Sequence, residues 1–155
     1  MAALATNKRA SFDYDILETY QAGLVLLGGE VKSVKKGDLS LQGAYITWRT
    51  NKGKSLPEPY LVNAYIAPYK PSGKFLNYTP ERERKLLLNK AELKHLIGKK
   101  QTPGLTLIPL KIYTKLGFIK LELALAKGKK KFDKREDIKK KDIEKRLRTL
   151  TKKAR

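Results

Sequence analysis

The chain has 155 residues, a length that suits one domain with an appendage. Its 35 lysines and arginines outnumber its 15 aspartates and glutamates, which gives a formal net charge of +20. An excess of this size makes a polyanion, and first of all a nucleic acid, the expected partner. The absence of cysteine excludes disulfides, thiolate metal sites and thiol nucleophiles, and no run of 18 apolar residues offers a membrane-spanning helix.

The N-terminal stretch MAALATNKRASFDYD starts with a few apolar residues but has no apolar core region before a cleavage site. We therefore expect no signal peptide. The single histidine, His95, cannot form a histidine cluster for a metal. These observations predict a cytoplasmic protein that uses neither metal nor cofactor.

Short strands dominate the prediction for residues 1–126. The predicted strands lie in DYDILETY (13–20), GLVLLGGEVKSV (23–34), AYITWRT (44–50), PYLVNAYIA (59–67), LTLIPLKIYT (105–114) and GFIKLELALA (117–126). Gly28 and Gly29 indicate a bulge or bend in the second strand. TKLG, between the last two strands, is typical of a hairpin turn. Six or so short strands with turn signals between them predict a small barrel or sandwich.

One helix is clearly predicted within this β-rich body, in NKAELKHLIG. Asn89 is its predicted N-cap, Glu92 completes a capping box, and Gly98 is the predicted C-cap. Its apolar stripe comprises Leu93, Leu96 and Ile97. A short helix starting at Thr79 and Pro80, and a helical turn in GDLSLQG (37–43), are also predicted. The predicted fold is thus mostly β, a small barrel with one or two flanking helices.

The C-terminal tail, residues 127–155, carries half of the net charge. It has 15 basic and 5 acidic residues, against 20 basic and 10 acidic in residues 1–126. The tail has too few large apolar groups to offset its ordering entropy, so we predict that it is disordered or only fractionally helical when free. Good helix formers predict a helix of roughly 15–18 residues once phosphates remove the repulsion. We therefore divide the chain into a body, 1–126, and a tail, 127–155.

The start of the tail has two features that a solvated charge run does not need. Phe132 is an aromatic residue inside a lysine cluster, and Asp133-Lys134-Arg135 mixes charges of both signs. Stacking of the ring on a base would explain the first feature. We favour specific RNA contact over a solvated run.

Catalytic chemistry finds no support in the sequence. His95 has no partner carboxylate fixed by sequence, so a packing or surface role is favoured over catalysis. Glu30 leaves two interpretations open: an ion pair at a strand edge with Lys32 or a nearby arginine, or the organisation of an RNA-facing loop. In ERERKLLLNK (81–90) the leucines favour core packing, while Arg82 and Arg84 are candidates for phosphate contact.

Six stretches together resemble the SmpB family of SsrA-binding proteins. They are NKRA (7–10), AGLVLLGGEVKS (22–33), NAYIAPY (63–69), RKLLLN (84–89), LIPLKIY (107–113) and AKGKKKFDKRED (126–137). The resemblance implies an oligonucleotide-binding (OB)-like β-barrel with flanking helices, followed by a tail that is unstructured when free. It also implies an RNA-binding adaptor of trans-translation, and no enzyme. Such an adaptor binds transfer-messenger RNA (tmRNA, or SsrA RNA) and delivers it to stalled ribosomes, where the incomplete peptide is tagged for degradation.

The resemblance also implies two sets of binding residues. The tmRNA-facing set is Asn7, Lys8, Arg9, Gly23, Glu30, Lys32, Arg84, Leu87 and Asn89. The ribosome-facing set in the tail is Lys129, Lys130, Phe132, Asp133, Lys134 and Arg135. Gln21 stands where many members carry an acid and is only a weak candidate. Phe132 stands where many have histidine, an exchange that preserves stacking but not titration.

The implied partners follow from this role. The body would bind the tRNA-like domain of tmRNA, and the tail would enter the vacant decoding centre and mRNA channel of the ribosome, in place of codon–anticodon pairing. Alanyl-tRNA synthetase and elongation factor Tu would act on the same RNA, and the protein would be a monomer with no membrane partner. The alternative is a structural ribosomal protein with a basic extension that binds ribosomal RNA; a second is a generic single-strand binder of OB type.

Overall fold

The computed structural model describes residues 3–69, 78–129 and 131–153, except for the side chains at 131–134, 137 and 150–153. Its strands are β1 (Ala3–Thr6), β2 (Tyr14–Leu24), β3 (Leu39–Ser40), β4 (Tyr45–Arg49), β5 (Glu58–Val62), β6 (Tyr65–Ile66), β7 (Arg84–Leu87), β8 (Leu105–Lys115) and β9 (Phe118–Gly128). Its helices are α1 (Ala10–Asp13), α2 (Gly28–Lys36), α3 (Lys90–Lys99) and α4 (Lys131–Lys153).

Seven of these strands form one antiparallel sheet in the order β1-β8-β9-β2-β7-β5-β4, and β3 pairs with β6 in a second, small sheet. β4 also contacts β8, so the large sheet curls around its core. The predicted mostly-β body with flanking helices is confirmed. The strand predicted at 59–67 is divided in two, because Asn63 adopts a positive φ of 61° between β5 and β6.

The large sheet has an inner face on the core and an outer face. On β9, Leu121, Leu123 and Leu125 point inward and belong to the main cluster of buried residues. Ala124 and Ala126 alternate with them and point outward, where α1 covers them through Ala10. α1 thus covers the outer face toward the end of β9 from which the tail leaves.

The β8–β9 hairpin forms the opposite end of these strands. Lys115 pairs with Phe118, and the two residues between them both have positive φ, 52° at Leu116 and 81° at Gly117. Two such residues make a type I′ turn, whose twist matches that of the flanking strands. The turn predicted in TKLG is confirmed, although a leucine in this conformation costs about 1 kcal/mol.

A helix replaces the second half of the strand predicted at 23–34. β2 ends at Leu24, and α2 begins at Gly28. The Glu30 carboxylate accepts the Leu27 backbone N–H at 2.9 Å, and Gly37 ends the helix with φ 84°. The paired glycines are therefore the first two residues of a helix and not a bulge in a strand, so the strand prediction was wrong here.

Two further helix predictions were wrong, because backbone hydrogen bonds hold one segment in a turn and the other in a strand. A turn closed by the Arg82 N–H on the Thr79 carbonyl, at 3.1 Å, replaces the predicted short helix. GDLSLQG contains β3, in which Leu39 pairs with Ile66, instead of a helical turn.

Helix α3 agrees with its predicted start but not with its predicted end. The Asn89 side chain accepts the Glu92 backbone N–H at 2.8 Å, as expected of an N-cap. Gly98 lies inside the helix, and Lys100 is the C-cap. Leu96 is buried, so the predicted apolar stripe does face the core.

The tail forms α4, which has 23 residues and is longer than predicted. At 1.5 Å per residue it is about 35 Å long. These residues thus form the helix expected for the bound tail, and the predicted disorder of the free tail stays a prediction. Opposite charges four residues apart, at 136/140, 142/146 and 144/148, offset part of the expected repulsion. Ile138, Ile143 and Leu147 are exposed on this helix.

Candidate RNA interface

A buried ion pair between Glu30 and Arg84 lies at the start of α2. Their relative exposures are 1% and 0%. The Arg84 Nε donates to Glu30 Oε2 at 2.9 Å, and Arg84 Nη2 donates to the same oxygen. Arg82 donates to the other carboxylate oxygen of Glu30. One carboxylate thus holds two arginines that are 52 and 54 residues away in sequence.

The same guanidinium ties several backbone segments together. Arg84 donates to the Ala64 carbonyl at 2.6 Å and to the Pro80 carbonyl at 2.9 Å. Tyr78 approaches Glu30 through its hydroxyl group at 3.2 Å and donates to the Ile66 carbonyl at 2.9 Å. α2, β7 and the segments around residues 64–66 and 78–80 therefore share one buried polar network.

The ionised form of Glu30 is the stable one in this network. Burial raises the pKa of the carboxyl group, but hydrogen bonds from Arg82, the Leu27 amide and Arg84 outweigh it, so the pKa lies below its ordinary value. The predictions that Glu30 and Arg84 themselves face RNA are wrong, because neither side chain reaches solvent. Of the two interpretations left open for Glu30, the structure supports an ion pair with neighbouring arginines. This pair holds in place the segments next to it.

Gly23 and Leu87 form the exposed surface next to this network. Gly23 is paired with Leu87 across β2 and β7, and a Cβ atom at Gly23 would lie 3.4 Å from the Leu87 Cβ. Leu87 is exposed. A Cβ atom at position 23 would be in van der Waals contact with Leu87, so glycine leaves the Leu87 side chain uncovered and open to a ligand.

Two further candidates lie on helices: Asn89 follows Leu87 at the start of α3, and Lys32 lies on α2. Both polar groups of Asn89 bind Glu92: its oxygen accepts the backbone N–H, and its NH₂ group donates to the carboxylate at 2.5 Å. Asn89 is nevertheless exposed at the N-terminus of α3, where free N–H groups favour an anion. Lys32 is exposed on α2, with Nζ 5.2 Å from the centre of the Tyr69 ring.

The N-terminal candidates, residues 7–9, lie elsewhere on the sheet. The Asn7 side chain donates to the Pro109 carbonyl at 2.9 Å, so it holds the protein's own backbone. Lys8 and Arg9 are exposed, and both line a groove of about 740 Å³ between this segment and residues 39–45. Pro109 is level with Leu123 on β9, whereas Gly23 is level with Lys120. The two groups are therefore about 10 Å apart along the strands.

The first residue after β9, Lys129, is hydrogen-bonded to α1. The Lys129 backbone N–H donates to the Asp13 carbonyl at 2.9 Å, and Lys129 Nζ donates to the Ser11 carbonyl at 2.9 Å. These bonds point the chain from the end of β9 toward α4. Lys129 thus has an identified role within the protein, besides its predicted role at the ribosome.

The remaining tail candidates are described only in part. Arg135 is exposed on α4. Lys130 lies outside the described residues. Phe132, Asp133 and Lys134 belong to α4, but their side chains lie outside the description. Their predicted contacts with the ribosome stay predictions.

We expect Lys129→Ala to broaden the range of directions in which the tail leaves the body. The substitution removes the bond to Ser11 and leaves the strand pairing of β9 intact. Because the chain has no cysteine, spin labels can be placed at exposed positions 52 and 141 and their distance distribution measured by pulsed electron resonance. Lys139→Ala, at an exposed position of α4, is the control with equal charge. Distance distributions of equal width in Lys129→Ala and in the control would contradict the role of Lys129 in fixing the direction of the tail.

His95 lies at the surface and contacts Glu18, as the packing or surface interpretation expects. Its Nε2 atom is 3.0 Å from Glu18 Oε2, which also accepts the Tyr20 hydroxyl at 2.5 Å. Burial and the bond to Glu18 raise the pKa of Tyr20 to about 12. Among residues 3–69, 78–129 and 131–153, no group of three or more metal-ligating side chains is found. No helix in this part of the chain is long and apolar enough to cross a membrane.

Two kinds of residue escaped the sequence analysis. Tyr78 belongs to the Glu30 network, but its partners are far away in sequence. Phe118 and Lys120 share a sheet face with Gly23, which only the strand register reveals. The available signal for Phe118 was an aromatic residue directly after the predicted turn.

Comparison with known proteins decides the family. Residues 4–153 match the family model described as SmpB protein. The chain belongs to the SmpB family. This match includes the body, α4 and both sets of candidate residues, so the resemblance deduced from six motifs is confirmed.

Relatives in the SmpB family cover nearly the whole chain. The SsrA-binding protein of Pseudothermotoga lettingae is 50% identical over 153 residues, which are 98% of each chain. The SsrA-binding protein of Persephonella marina is 50% identical over 144 residues, 93% of this chain and 90% of that protein. A solved chain described as "tmRNA-SmpB: a journey to the center of the bacterial ribosome" has a TM-score of 0.62 and 50% identity, and covers 81% of this chain and 84% of that one.

Proposed function

We propose that this protein binds tmRNA and delivers it to stalled ribosomes as the adaptor of trans-translation. The observation that carries the proposal is the solved chain described with tmRNA, SmpB and the bacterial ribosome, which is 50% identical over 81% of this chain. The +20 net charge supports RNA as the partner. The role is one of binding and positioning, without a catalytic step.

The body would recognise the tRNA-like domain of tmRNA. The exposed candidates are Gly23, Leu87, Asn89 and Lys32, an apolar strip of sheet with a helix N-terminus and a lysine at its margins. Folded RNA offers unstacked bases in its loops, which an apolar strip can contact, and phosphates, which cations can bind. The buried pair of Glu30 and Arg84 supports this surface from below and makes no contact with RNA itself.

The groove lined by Lys8 and Arg9 offers a second place for the phosphate backbone. Its two cations are exposed, while Asn7 anchors the segment to β8. Phosphate contacts position an RNA without reading its sequence. We propose that this groove orients the tRNA-like domain on the body.

The tail would bind the ribosome at the decoding centre and in the mRNA channel. α4 is an exposed, strongly basic helix, and a helix of this charge is stabilised by ribosomal RNA through release of counterions. Placed there, Lys129, Lys130, Phe132, Asp133, Lys134 and Arg135 would take the place of codon–anticodon pairing. The protein would act in the cytoplasm, on an RNA that alanyl-tRNA synthetase and elongation factor Tu also bind.

We expect the protein to prefer the tRNA-like domain of tmRNA over an elongator tRNA and over a single-stranded oligonucleotide. The preference should persist at physiological salt, because shape-specific contacts depend less on salt than phosphate contacts do. Fluorescence anisotropy across a salt series measures it. Three affinities that are equal and fall together with salt would contradict the proposal. Binding to ribosomes in high salt without tmRNA would instead favour a structural ribosomal protein.

A further inference from the structure

The tip of the β8–β9 hairpin exposes two large apolar side chains. Leu116 is 90% exposed and Phe118 is 69% exposed, more than any other large apolar residue in the described part of the chain. Neither side chain contributes to the core. An exposed apolar pair at the end of a rigid hairpin is suited to contact a ligand.

The backbone at the tip is strained at one of these two residues. Leu116 has a φ of 52°, a conformation that glycine or asparagine adopts far more readily. No core contact of its side chain offsets this cost, since the side chain is almost fully in solvent. The turn needs a positive φ at this position but does not need a leucine, and residues held in such conformations cluster at functional sites.

Strand register places the tip next to the Gly23–Leu87 surface. Gly23 is paired with Lys120 on one side and with Leu87 on the other, so all three residues share the outer face of the sheet. Phe118 is two residues before Lys120 and therefore points to the same face. The tip continues the exposed surface past the end of β2, about 7 Å beyond Lys120.

The charge at the tip favours RNA as the ligand. Lys115 lies directly opposite Phe118, and residues 114–120 contain two lysines and no acid. The nearest acid along β9, Glu122, is paired with Lys111 at 3.3 Å. An aromatic ring between two lysines can stack on an unpaired base while the lysines bind the phosphates on either side of it.

We propose that the hairpin tip is part of the RNA-binding surface. Phe118, supported by Leu116, stacks on an unpaired base of the tRNA-like domain, while Lys115 and Lys120 bind the adjacent phosphates. The proposal rests on the proposed function, because it extends the same surface to a further element of the sheet.

The test compares the affinities of wild type, Phe118→Ala and Phe118→Trp for the tRNA-like domain of tmRNA. We expect Phe118→Ala to bind about tenfold more weakly, because one base–aromatic stack is lost. Phe118→Trp keeps a ring and should bind like wild type. Leu17→Ala is the matched control, since Leu17 is also an exposed apolar residue but lies toward the other end of β2. Unfolding by urea checks that all four proteins are equally stable.

Leu116→Gly separates binding from folding. Removing a strained, exposed leucine should raise the stability of the protein or leave it unchanged, while affinity for the RNA falls. A benzoyl-phenylalanine at position 118 should in addition cross-link to an unpaired base of the tRNA-like domain. Cross-links only to ribosomal RNA, or none, would overturn the proposal.

The outcomes distinguish the two proposals. Equal affinities of wild type and Phe118→Ala, in a protein that still prefers the tRNA-like domain, would overturn the role of the tip alone. Absence of that preference in wild type would overturn the proposed function. A loss of affinity in Phe118→Ala that is matched by Leu17→Ala would also contradict the role of the tip, because a general loss of apolar surface would then explain both.

Discussion

A protein that ends at Gly128 is expected to keep its affinity for the tRNA-like domain of tmRNA and to lose all peptide tagging on stalled ribosomes. The surfaces proposed for the body lie on β2, β7, α2 and α3, in the groove lined by Lys8 and Arg9, and at the β8–β9 tip, and all of their residues precede the cut. We expect the dissociation constant at physiological salt to change by less than about fivefold. Anisotropy measures binding, and translation of a message without a stop codon measures tagging.

The matched control is a full-length protein in which residues 131–153 are shuffled. Its composition and net charge are those of the natural tail, but the order of Phe132, Asp133, Lys134 and Arg135 is lost. We expect no tagging from this variant. Tagging at the natural level would mean that the tail contributes only charge. An equal loss of tmRNA binding and tagging on truncation would contradict the proposal that the body binds tmRNA and the tail acts on the ribosome.

Arg84→Met is expected to destabilise the protein by roughly 3–5 kcal/mol, because the Glu30 carboxylate stays buried while it loses its bonds to Arg84. The free energy of unfolding in urea measures the effect. Arg49→Met is the control: Arg49 also pairs with a glutamate, Glu83, but both side chains are largely exposed, so its loss should cost less than about 1 kcal/mol. Similar losses in the two variants would contradict the central role of the buried pair.

The double variant Glu30→Gln/Arg84→Met should be less destabilised than Arg84→Met alone, although it carries one more substitution. Glutamine can still accept the Leu27 N–H, and the one charge left without its partner, Arg82, is one-third exposed to solvent. A double variant that is less stable than the single one would show that Glu30 stabilises the fold mainly through other partners.

The effect of Arg84→Met should also depend on pH. In wild type the pKa of Glu30 is lowered, so its stabilisation is present above the unfolded pKa and is lost as pH falls through the folded value. The variant lacks the bonds from Arg84 that lower this pKa, so the pKa of Glu30 should be higher than in wild type. The difference in unfolding free energy should therefore shrink as pH falls toward about 4. A constant difference from neutral pH downward would contradict this account.

Local patterns determined much of what the sequence predicted correctly. The alternation in GFIKLELALA predicts β9, Leu116 and Gly117 lie in the predicted turn, and Asn89 caps α3, because strand pattern, turn conformation and helix capping each depend on neighbours a few residues away. The concentration of charge after residue 126 indicated the tail in the same way. The six motifs were enough to identify the SmpB family, and the comparisons confirm that identification.

Only the tertiary structure decided which candidate residues are exposed and which are buried. Glu30 and Arg84 are 54 residues apart, and nothing local shows that burial pairs them with each other rather than with RNA. The same holds for the placement of Phe118 beside Gly23 and Leu87, which depends on the register of three strands from distant parts of the chain. A one-residue shift of that register would turn every side chain to the other face. The sequence therefore determined the family and those elements whose patterns are local, while long-range packing determined the other elements and the exposed surface.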